Sequence, residues 1–206
     1  MLFHKKGFTL IELLIVVAII AILAAIAIPN FLAAQIRSKV SRAKAELRTL
    51  TTALESYNID NNVYPDDIDP ALWPWYLPSV VSTPIAYISS GLLNDPFRLG
   101  STSAIPGTPG TRYRYINYDA ELNGHYTAVA EANFPHGGAT ASILTGIEKY
   151  GIWRLTSAGP DKTATYDDTP GHGFASGIQV YDPSNGTVSN GDIVRSQKYP
   201  EVTSRD

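Results

Sequence analysis

The chain contains no cysteine, so neither a disulfide framework nor a thiolate metal site can hold it together. Charge is nearly missing from its beginning. Between Lys6 and Arg37 the only ionisable side chain is Glu12, and Leu13 to Ile28 is apolar without a break. The signatures of common enzymes are missing as well. After His4 the histidines are His125, His136 and His172, none at the i, i+4 spacing of a metal site, and no nucleophile elbow, phosphate loop or dinucleotide fingerprint is found. No catalytic residue is assigned, and an enzyme is not expected. The formal net charge of −3 over 206 residues gives no general attraction to nucleic acid or to anionic membrane. One stretch, Arg112-Tyr113-Arg114-Tyr115, interleaves basic and aromatic residues, but one such strand in an acidic chain is a weak nucleic-acid signal, and none is expected as a partner.

What is present divides the chain into two physically different parts. Phe8 to Phe31 meets the roughly 20 apolar residues needed to span a bilayer core. A plain membrane anchor or a secretory signal would satisfy that length. A secretory signal, however, places a small-residue cleavage site after its apolar stretch, and Ile26-Ala27-Ile28-Pro29-Asn30 is a poor one. Past the membrane-length segment, Ile36, Val40, Ala43, Leu47, Leu50, Leu54 and Tyr57 follow one another in steps of four and three, the stripe of an amphipathic helix. Arg37, Lys39, Arg42, Lys44, Glu46 and Arg48 occupy its other face, and Asn61-Asn62 with Tyr64-Pro65 supply the stop. One helix over residues 8–62 is therefore expected, about 80 Å long at about 1.5 Å per residue. Its span 8–31 crosses the membrane, and Pro29 lacks a backbone donor and bends or loosens it. Residues 63–206 form a head. Trp73-Pro74-Trp75-Tyr76-Leu77-Pro78 reads as a loop capping its core. Runs at 113–118, 126–130 and 151–156 read as strands of a small antiparallel sheet packed on the helix, an α+β fold.

The residues ahead of the apolar run carry more information. Lys5-Lys6-Gly7-Phe8-Thr9-Leu10-Ile11-Glu12 resembles the prepilin signal of type IV pilins and type II secretion pseudopilins. The resemblance implies a leader, 1–7, removed by a prepilin peptidase that cuts between Gly7 and Phe8 and methylates the new amine. It implies a lollipop-shaped subunit whose apolar half-helix becomes the core of a homopolymeric filament. Glu12 is then the acid kept just past the cut, and the amine of a neighbouring copy meets it, offsetting the cost of a carboxylate in an apolar segment. The basic residues oppose this orientation, since Lys5 and Lys6 precede the segment while five cations from Arg37 to Arg48 follow it. The cleavage signature outweighs them, because its residues must be cytoplasmic.

Trp153-Arg154-Leu155-Thr156-Ser157-Ala158-Gly159-Pro160-Asp161, Asn190-Gly191-Asp192-Ile193 and Asn94-Asp95-Pro96-Phe97 resemble the major, G-type pseudopilin of type II secretion systems; residues 66–150 match little of it. That family binds calcium in its C-terminal loop. Here Asp161, Asp167, Asp168 and Asp192 stand among asparagines and glycines, a supply of the oxygen ligands calcium takes, although turns use the same residue types. The resemblance implies a single-pass protein of the bacterial inner membrane with a periplasmic head. It would work with an assembly platform and minor pseudopilins in a secretion pseudopilus, the alternative being a surface pilus.

Overall fold

The computed structural model describes residues 7–67, 79–89, 93–98, 112–122, 140–162, 180–184, 189 and 191–200. Its first element, α1, is a single 52-residue helix, Leu10–Asn61. Thr9, in extended conformation, caps its start, and Asn62, in the left-handed conformation at φ 56°, closes its end through a bond from its N–H to the Asn58 carbonyl. The helix runs unbroken through Pro29. Beside it the Asn30 amide donates to the Ile26 carbonyl at 3.0 Å, so side-chain bonding supplements the backbone ladder where proline interrupts it. The half preceding Phe31 is apolar but for Glu12 and Asn30, almost entirely exposed, and long enough to cross a membrane.

From Val40 onward the same helix becomes the spine of the head, burying Val40, Ala43, Leu47, Leu50, Ala53 and Leu54. Those side chains meet three antiparallel strands in the order β1 (Arg114–Asn117), β2 (Trp153–Ser157) and β3 (Ile193–Ser196). Arg114 opposes Thr156, and Ser157 opposes Ile193. Tyr115, Trp153, Leu155 and Ile193 join the helix stripe in one cluster, as the period-2 alternation of a strand requires. The opposite face is covered too. The short helix α2 (Tyr118–Leu122) and helix α3 (Thr140–Tyr150) lie between β1 and β2 in the chain. The buried guanidinium of Arg154 sits 5.7 Å from the Tyr118 ring centre and 5.0 Å from that of Tyr150, close enough for cation–π attraction. With both faces covered, every residue of β2 is buried.

Several sequence expectations are refined by this arrangement. Strand-like residues 113–118 contain β1, but Tyr118 already begins α2. The run at 151–156 becomes β2, shifted toward Ser157, while the run at 126–130 and the Trp73–Pro78 loop lie outside the described residues. Helix α3 and strand β3 were not expected. Tyr113, Arg114 and Tyr115 are all buried, so their basic–aromatic pattern belongs to packing rather than to an open surface.

Tyrosines fasten the helix to the rest of the head. The Tyr113 hydroxyl donates to Glu46 at 2.6 Å, Tyr64 to Glu55 at 2.9 Å and Tyr87 to Asp60 at 2.9 Å. Glu55 also accepts from the Trp153 indole at 3.2 Å. Burial, and then the neighbouring carboxylate, push the Tyr113 and Tyr64 phenols above the ordinary value, and burial does the same to Tyr115 and Tyr181. A group whose pKa is raised by folding contributes stability that is complete below its unfolded value and is lost as pH rises past it. The head is therefore expected to keep its melting temperature up to about pH 10, the ordinary tyrosine value, and to lose stability steeply above it. Spectrophotometric titration of the phenols alongside the melt would show ionisation accompanying unfolding; phenols that all ionise near pH 10 in a folded chain would contradict these pins.

Candidate functional site

Two regions carry the residues singled out in the sequence. At the N-terminal end, Thr9 and Glu12 form a reciprocal capping box. The Thr9 hydroxyl accepts from the Glu12 N–H at 3.2 Å, and the Glu12 carboxylate accepts from the Thr9 N–H at 2.8 Å and the Thr9 hydroxyl at 2.7 Å. Thr-x-x-Glu ahead of an apolar run is a sequence signal for this box, and it went unused because both residues were read as parts of the processing motif. The box turns the Glu12 carboxylate back toward Phe8. It also gives the acid a place within its own chain while no other partner is present. Phe8 is exposed, and a methyl group at Gly7 would meet nothing within 4 Å. Among the described residues, packing thus gives no reason for glycine at 7.

The second region is the loop that closes the sheet. Gly159 at φ +69° lies so close against the Gly191 carbonyl that a side chain would overlap it. The Asp161 carboxylate accepts from the Gly191 N–H at 3.0 Å. Asp192 is buried, and its carbonyl accepts from the Tyr181 N–H at 2.9 Å. Asp161 and Asp192 are thus brought to the same turn, while Asp167 and Asp168 lie outside the described residues. Among the described residues no group of three or more His, Cys, Asp or Glu side chains converges. Asp161 and Asp192 are two oxygen-bearing acids at one turn, fewer than the roughly six to eight ligands that calcium takes. A buried acid outside the expected set organises the base of this loop. Asp95 accepts from the Phe97 N–H, the Ser157 hydroxyl and the Ala158 N–H at 2.8–2.9 Å. Burial raises its carboxyl above the usual range, against the lowering effect of those donors and of Arg98. The turn at Asn94–Phe97 is thereby tied to the end of β2.

A continuous helix with an exposed, membrane-length apolar half and an amphipathic half buried under a small sheet defines a helix-and-head architecture. The family described as "Prokaryotic N-terminal methylation motif" matches residues 2–28. The Type IV major pilin protein PilA of Myxococcus xanthus (strain DK1622) is 31% identical over 214 residues, covering 91% of this chain and 89% of that protein. The Type IV major fimbrial protein FimA of Dichelobacter nodosus is 39% identical over 151 residues, covering 72% of this chain and 86% of the relative. The Type II secretion system core protein G of Pectobacterium carotovorum subsp. carotovorum is 28% identical over 116 residues, or 56% of this chain and 69% of that one. No solved structure matches the chain. The chain belongs to the type IV pilin-like family, as a structural subunit of the pilin and pseudopilin kind.

Proposed function

We propose that the chain is held in the bacterial inner membrane by α1 with its head in the periplasm, is cut between Gly7 and Phe8 and methylated by a prepilin peptidase, and polymerises through its apolar half-helix. The observation that carries this reading is the exposed Gly7-Phe8 stretch directly ahead of the capped start of α1, which is apolar from Leu10 to Ile28 except for Glu12. Cleavage creates an α-amine one residue before the Thr9 cap. A neighbour's amine can then draw Glu12 out of its capping box, exchanging hydrogen bonds within one chain for an ion pair between two. Pro29 gives the helix a place to bend during assembly.

Two filament roles compete. A surface pilus is favoured by the similarity to a major pilin, which spans 91% of this chain. A type II secretion pseudopilus, built with minor pseudopilins on an assembly platform, is favoured by the stretch from Trp153 to Asp161 and the Gly191-Asp192 turn that the structure brings beside it. Shearing intact cells and assaying the chain in each fraction decides between them. Recovery in the sheared fraction supports the pilus, confinement of the processed chain to the membrane fraction supports the pseudopilus, and a chain that forms no polymer in either contradicts both.

For calcium, Asp161 and Asp192 would hold the ion together with Asp167, Asp168 and backbone oxygens, and the ion would pin the closing loop of a chain that has no disulfide. A ligand bound only by the folded state stabilises it by mass action. The full chain in detergent is expected to melt about 5 °C or more higher in millimolar calcium than in chelator, given about 2–4 °C per kcal/mol for a protein of this size. Equal melting temperatures would remove calcium from the account.

A further inference from the structure

With α1 crossing the membrane and the head beyond it, the cations that follow the apolar half sit on the side where they oppose insertion. Between Glu12 and Glu46 the chain has no acid, while Arg37, Lys39, Arg42 and Lys44 all fall between Phe31 and Glu46. A set of like charges that works against the orientation calls for a use on the far side.

The unbroken helix fixes the level of each cation. Leu10 to Phe31 rises about 33 Å at about 1.5 Å per residue, enough to fill a hydrocarbon core of about 30 Å. Arg37 follows Phe31 by six residues and Lys39 by eight, which puts their backbones about 9 and about 12 Å beyond it. Helical side chains lean toward the N-terminus, here toward the bilayer. The headgroup layer adds about 5–7 Å on each side of the core. Attraction to an anionic surface extends about one Debye length further, about 8 Å at physiological salt. The Arg37 guanidinium and the Lys39 ammonium therefore fall within reach of lipid phosphates.

Their surroundings leave these two groups open. Arg37 and Lys39 are exposed, and neither makes an ion pair or a hydrogen bond among the described residues. Residues two apart stand about 200° apart around a helix, so the two flank the stripe of Ile36 and Val40 that packs against the head. The other cations of the stretch are engaged within the chain. Arg42 places its Nε on Glu46 at 2.7 Å, and Lys44 and Arg48 have partners of their own.

We propose that Arg37 and Lys39 are a docking site for the phosphate headgroups of anionic phospholipid, in the leaflet from which α1 emerges toward the head. The site rests on the membrane reading above. Apolar burial is non-directional and by itself lets a long apolar segment slide along the bilayer normal. Two cations held at phosphate level pin its depth, and they hold an unassembled subunit in place until the helix is drawn out and these contacts break.

The test uses the full chain inserted into phosphatidylcholine vesicles that carry a trace of spin-labelled phosphatidylglycerol or, in parallel, of spin-labelled phosphatidylcholine. The wild-type chain is expected to associate with the anionic probe about fivefold more than with the neutral one. Arg37→Gln combined with Lys39→Gln keeps good helix formers at both positions and is expected to lower that preference by about twofold or more. Arg37→Lys combined with Lys39→Arg is expected to keep it. Lys5 and Lys6 are the same in every variant, so the comparison isolates the far side. A wild-type chain that inserts without preference overturns the site alone. So does a double glutamine variant that keeps the preference, or a charge-conserving variant that loses it. A chain that stays out of the vesicles on flotation overturns the membrane reading and the site with it.

Discussion

Replacing Glu12 by alanine is expected to abolish the filament, with polymer falling at least tenfold while cleavage after Gly7 continues. Two roles meet in this carboxylate. Within the chain it accepts from the Thr9 N–H and hydroxyl; between chains it is the one charge in the apolar segment able to compensate a neighbour's amine. Glu12→Gln separates the roles, since the amide oxygen still serves the cap while the charge is gone. If pairing with the amine is what assembly needs, Gln fails as badly as Ala. Normal polymer from Glu12→Gln would mean that the cap alone matters.

The second large effect is expected at Gly159. A side chain there faces two penalties at once, a φ of +69° and direct overlap with the Gly191 carbonyl. Neither can be relieved cheaply. Gly191 is fixed by the Asp161 carboxylate on its N–H, and Ala158 is fixed by the buried Asp95. Gly159→Ala is therefore expected to lower the stability of the head by about 2–4 kcal/mol, measured by denaturant unfolding of the full chain in detergent. Gly7→Ala, where the new methyl group meets nothing, should leave that stability unchanged and impair only processing. Equal stability of Gly159→Ala and wild type would show that the two turns do not meet as described.

The contrast between these two glycines shows what could be read from sequence. The long helix was legible because its signals were redundant: an uninterrupted apolar run, then seven apolar positions in steps of three and four, then Asn61-Asn62 and a proline. The N-terminal motif was legible because unusual residues fall in register ahead of that run. Helix α3 was hidden by Gly146, a helix-weakening residue whose reason lies elsewhere in the chain, since the Tyr118 ring fills the space a side chain would take. Strand β3 escaped because four residues, Ile193–Ser196, are too few to show alternation, and its partner β2 is buried on both faces. Asp95 was noticed as part of a resembling stretch, but its three donors come from Phe97 and from residues more than sixty positions away, a meeting that only the fold produces. Of the four proposed calcium ligands, Asp161 and Asp192 were placed at one turn by the same long-range closure.

The measurement that bears most directly on the account is the mass of the chain's N-terminal peptide, taken from polymer isolated from its own cells. A chain beginning at Phe8 with one added methyl group is the expected result. A polymerised chain that still begins at Met1, or one cut on the far side of the apolar run as a secretory signal would be, would contradict it.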